Sequence, residues 1–65
     1  MTQLELATNA AIVLADKILA DQGASHDSAN AARDAAVAAL RPVFGRSIGD
    51  AAGRVAAQHI TSKIA

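Results

Sequence analysis

The sequence predicts an all-α domain of three helices, either a small bundle or a helical hairpin with a third helix packed on it. Three observations predict it. Ala supplies 18 of the 65 residues, and it is the residue with the highest helix propensity. No window alternates apolar and polar residues over several positions, and the β-branched residues are scattered, so strands are not expected. Two breaks, Gly23-Ala24-Ser25-His26 and the stretch from Arg41 to Arg46 around Pro42 and Gly45, divide the chain into three helix-favouring segments within one domain.

The first helix is expected over about residues 3–21. Thr2 is placed to cap it, with Glu5 three positions later completing a capping box, and Gly23 supplies the stop. The second is expected over about residues 28–40, capped by Ser25 or Asp27 and ended by Pro42, which disfavours helical backbone at the residue before it. The third is expected over about residues 47–63, with the Ser47 side chain as cap and Asp50 at its third position. Phe44, the one aromatic residue, is expected to plug the basic corner between the second and third helices.

The apolar content sets what such a domain can bury. Of 34 apolar residues 18 are Ala, so 16 larger side chains must make the core. A chain this short buries only about 60% of the surface its unfolded form exposes. With no Cys there is neither a disulfide nor a thiolate metal site to compensate, and oligomerisation is the usual remaining remedy. On a helical wheel of about 100° per residue, Leu4, Ala7, Ala11, Leu14, Ala15 and Ile18 form one core-facing stripe, flanked by Ile12 and Leu19. Leu6, Ala10 and Val13 fall on a second patch, which predicts contact with another copy or a partner. The second helix aligns Ala29, Ala32, Ala36, Ala39 and Leu40, allowing close approach to both neighbours.

The most specific spacing lies in the third segment, where Gly45, Gly49, Gly53 and Ala57 follow one another at intervals of four. Positions four apart form a ridge on a helix, and stripping its side chains lets another backbone approach. Each interior Gly costs about 1 kcal/mol relative to Ala, which close packing must offset. Gly49, Gly53, Ala57 and Ile60 are therefore the second expected interface, with its partner helix in the same chain or another.

Net charge is zero but unevenly spread: residues 1–27 carry −3 and residues 41–65 carry +3. The complementary halves predict packing within or between chains. They also raise an anion-binding alternative, in which Arg33, Arg41, Arg46 and Arg54 contact phosphate or an acidic peptide. A helix-turn-helix DNA-binding regulator is the main rival, since Leu19 to Gly23 followed by Ser25-His26-Asp27-Ser28, Asn30 and Arg33 has the helix, turn and polar second-helix start of such modules. Asp16, Asp21, Asp27 and Asp34 surround that segment and oppose phosphates. A membrane-active peptide is disfavoured by the acidic first helix, and no segment is apolar enough to span a bilayer.

No catalytic, cofactor or metal site is expected. Ser25, His26 and Asp27 have the residue types of a hydrolytic triad, but neighbours in one turn cannot take up its geometry. His26, Asp27 and His59 lack metal-ligand spacing. His59 is expected to be half-buried with one ring nitrogen at the surface. The reading is of a non-enzymatic, cytoplasmic helical interaction module, self-associating and binding a protein partner. Its Ala, Arg and Gly bias matches what a GC-rich bacterial or phage genome encodes.

Overall fold

Thr2 starts the first helix as the sequence predicts. In the computed structural model, which describes residues 1–64, its extended backbone precedes α1 (Gln3–Gln22). The Glu5 amide donates to Thr2 Oγ1 at 3.1 Å, and the Thr2 amide donates to Glu5 Oε1 at 3.2 Å. Gly23 ends α1 with φ +75° and ψ −178°, a backbone state that glycine alone adopts readily, while its amide donates to the Leu19 carbonyl. The second helix, α2 (His26–Phe44), starts two residues before the expected boundary. Ser25 caps it, and the third helical position is Ser28 in the role usually held by Glu or Gln. The Ser28 amide donates to Ser25 Oγ at 3.0 Å and the Ser25 amide donates to Ser28 Oγ at 2.9 Å.

Pro42 does not end α2, contrary to expectation; the helix runs two residues beyond it. The missing Pro42 N–H leaves the Ala38 carbonyl without its helical donor. Ala38 is exposed, so water can satisfy that carbonyl, and buried Leu40 and half-buried Phe44 fix the last turn against the core. The expected corner over residues 41–46 shrinks to one residue. Gly45, at φ +91°, both ends α2 and precedes α3 (Arg46–Thr61). Ser47 is consequently inside the helix and caps nothing, and α3 stops two residues short of Lys63. Asp50 turns to Arg41 instead of to the helix start.

All three helices touch one another, with the most extensive contact between α2 and α3. They enclose a core that is almost entirely alanine: Ala7, Ala11 and Ala15 from α1, Ala29, Ala32 and Ala36 from α2, and Ala52 and Ala56 from α3. Leu40 and Ile60 are the larger apolar residues that are buried with them. Leu14, Ile18, Leu19 and Ile48 ring this core and remain partly exposed, so alanine occupies the centre of the stripe predicted for α1. Leu4, expected on that stripe, is exposed instead, because it lies in the first turn of α1, beyond the core. Ala39, expected on the inner face of α2, is exposed.

Candidate functional site

The molecule presents two candidate contact surfaces, and the first is the outer face of α1. Since Ala7, Ala11 and Ala15 define the buried side, residues about half a turn away must face outward. Leu6 and Val13 do so, at 47% and 55% exposure, seven residues and therefore two turns apart. Ala10 lies at the stripe's inner edge, half-buried against the core. Exposed Glu5, Asn9, Asp16, Lys17, Ala20 and Asp21 surround the pair, so the face is an apolar ridge with a mostly acidic border.

The second predicted patch is internal. Gly49 and Gly53 are buried against α2 of the same chain, Ile60 is fully enclosed, and Ala57 packs on the core. A Cβ on Gly49 would lie 2.9 Å from both Arg41 Cα and Arg41 N; one on Gly53 would lie 2.6 Å from Val37 Cγ2 and 3.2 Å from Arg33 Cγ. The glycine ridge is thus filled by Arg33, Val37 and Arg41, which are themselves four apart on an α2 running antiparallel to α3. Gly49, Gly53, Ala57 and Ile60 accordingly hold the molecule together and offer little to a partner.

That packing builds the second surface. With their stems laid over the glycines, Arg33 and Arg41 carry their guanidinium groups to the rim of an open groove of about 440 Å³, which Arg54, Asp34, Val37 and Asp50 also line. Three of the four arginines singled out in the sequence are therefore brought together, and Arg46 lies at the edge with its side chain 84% exposed. Arg41 Nε donates to Asp50 Oδ1 at 2.7 Å, and Arg46 Nε stands 3.9 Å from Asp50 Oδ2. Arg33 lies 3.7 Å from Asp34 in an exposed pair that holds it weakly. Arg54 forms no ion pair among the described residues. The signal for this groove was present in the chain: residues 33, 37 and 41 match the spacing of the glycine ridge, but only the antiparallel register reveals that they meet.

Elsewhere, His59 Nε2 and Asp16 Oδ1 are 2.6 Å apart, tying α3 to α1, and the His59 side chain is 24% exposed as expected for a half-buried ring. His26 and Asp27 sit exposed at the start of α2, and among the described residues no group of three His, Asp or Glu is placed to hold a metal ion. The hydroxyls of Ser25 and Ser28 are occupied in the reciprocal cap, with Ser28 buried, which removes two of the groups a helix-turn-helix reading would direct at bases. Among the described residues no helix is long and apolar enough to cross a membrane. No protein-family model, curated protein or solved structure matches this chain.

Proposed function

We propose that this chain is a non-enzymatic helical assembly module that self-associates, with the outer ridge of α1 as one contact surface. The observation that carries this reading is where the large apolar side chains go. Of the 16 available, Leu40 and Ile60 are buried, whereas Leu6 and Val13 project from the side of α1 that faces away from the core. The alanine interior explains why. Helices that approach on methyl groups leave no room between them for Leu or Val, so these are displaced to the periphery, where a second molecule can cover them.

The magnitude sets how strong such a contact is. Covering a half-exposed Leu or Val gains about 1 kcal/mol. The two residues of one ridge therefore gain about 2 kcal/mol when a partner covers them, below the lower range of the cost of bringing two bodies together. The ridge alone gives weak association, and a stable assembly enlists a second surface.

The test is solution mass by sedimentation equilibrium from about 10 µM to about 1 mM, a range in which mass action displays weak association. The parent chain is expected to exceed its 6.6 kDa monomer mass as concentration rises. Leu6→Asp combined with Val13→Asp is expected to remain monomeric while keeping its helical circular dichroism, because neither side chain belongs to the enclosed core. A parent that stays monomeric across the whole range overturns the reading.

A further inference from the structure

Resting on that self-association reading, we infer that the contact is head-to-tail: the α1 ridge of one copy seats in the arginine groove between α2 and α3 of the next. Charge is the first support. The ridge is bordered by Glu5, Asp16 and Asp21 against Lys17, while the groove presents Arg33, Arg41 and Arg54 against Asp34 and Asp50. Asp16 is engaged by His59 and Arg41 by Asp50, and Arg54 forms no ion pair among the described residues. Glu5 accepts from the Thr2 amide in the α1 cap, which leaves Asp21 on one copy to face Arg54 or the loosely paired Arg33 on the next. Pairing α1 with α1 would instead bring two acidic borders together, an arrangement that opposes association.

Shape is the second support. Val37 and the methylene stems of Arg33 and Arg41 give the groove an apolar floor between charged walls, the counterpart of an apolar ridge with charged borders. Orientation is the third. The ridge points away from α2 and α3, and the groove is lined by α2 and α3 residues alone, so one copy can use both surfaces at once. Two different surfaces joined in this way make a heterologous contact, which builds a ring if the rotation closes and a filament if it does not.

Complementation tests this directly. Leu6→Asp spoils the ridge and keeps the groove; Arg54→Glu spoils the groove and keeps the ridge, and both positions are exposed. At about 50 mM salt, where charged contacts are weakly screened, each variant alone is expected to be monomeric by sedimentation. Their equimolar mixture is expected to form a species of twice the monomer mass and nothing larger, while the parent assembles beyond two copies. Arg33→Glu serves as a second groove variant and should behave like Arg54→Glu, with circular dichroism confirming that each is folded. If Arg54→Glu and Arg33→Glu associate as the parent does, the head-to-tail contact is wrong and self-association survives as an α1 to α1 pairing. Failure of the mixture to pair, with an assembling parent, also overturns it. A parent that stays monomeric removes the assembly reading itself. Should that monomer bind duplex DNA at the same salt and lose it on Arg54→Glu, the groove serves phosphates instead and the inference falls with it.

Discussion

Replacing Gly49 by Ala is expected to destabilise the protein by about 2 kcal/mol, even though helix propensity favours Ala by about 1 kcal/mol at an interior position. The opposing term is steric. The added methyl would lie 2.9 Å from the Cα and the backbone nitrogen of Arg41, and backbone atoms of a packed helix cannot swing aside. α3 must retreat from α2 along the most extensive contact in the molecule, and it must carry Asp50 away from Arg41. For a domain of this size the loss corresponds to a fall of roughly 10 °C in Tm. Gly53→Ala should lose less, since its nearest obstacle is the Val37 side chain and the Arg33 backbone lies farther off, at 3.3 Å. Urea unfolding followed by circular dichroism measures both, and a stabilised Gly49→Ala would show that the two helices are not held at this separation.

Ile60→Ala is expected to bring the protein close to its unfolding midpoint at room temperature. Ile60 is fully enclosed, and removing a buried Ile side chain costs about 2–5 kcal/mol through lost transfer energy and the cavity left behind. Stabilities of about 0.05–0.15 kcal/mol per residue give this chain only about 3–10 kcal/mol in total. A single deletion therefore removes a large part of it. Leu6→Ala, on the exposed ridge, should change monomer stability by less than about 1 kcal/mol. Thermal melts of the two variants at a concentration where the parent is monomeric compare them, and equal losses would mean that the interior does not close around Ile60.

What could be read in the chain beforehand follows the range of the interactions. The cap at Thr2 with Glu5, the stop at Gly23 and the cap at Ser25 involve residues within four positions, and the structure has each of them. The errors all turn on a tertiary term. Pro42 lies inside a helix because Leu40 and Phe44 anchor the final turn. Asp50 satisfies Arg41 across nine positions of sequence in preference to a local cap. Large side chains were expected at the centre of α1, but inter-helix separation decides what fits there, and that separation is set by facing residues on all three helices. The glycine spacing pointed to a close helix contact; its partner became evident only once the antiparallel pairing of α2 and α3 was known. The glycine contact takes the same-chain form for that reason, and the arginine groove follows from the same register.

The alanine interior has one more consequence, for which sequence changes the molecule can absorb. In most folded domains the commonest interior lesion is truncation, and a residue can drift among Leu, Ile, Val and Met at nearly constant volume. Here eight interior positions are already one carbon from the backbone, so only Gly is smaller and every other replacement must force helices apart. Tolerance is one-sided: substitutions are expected to be absorbed on the outward faces, while the inner ones accept little besides Ala itself.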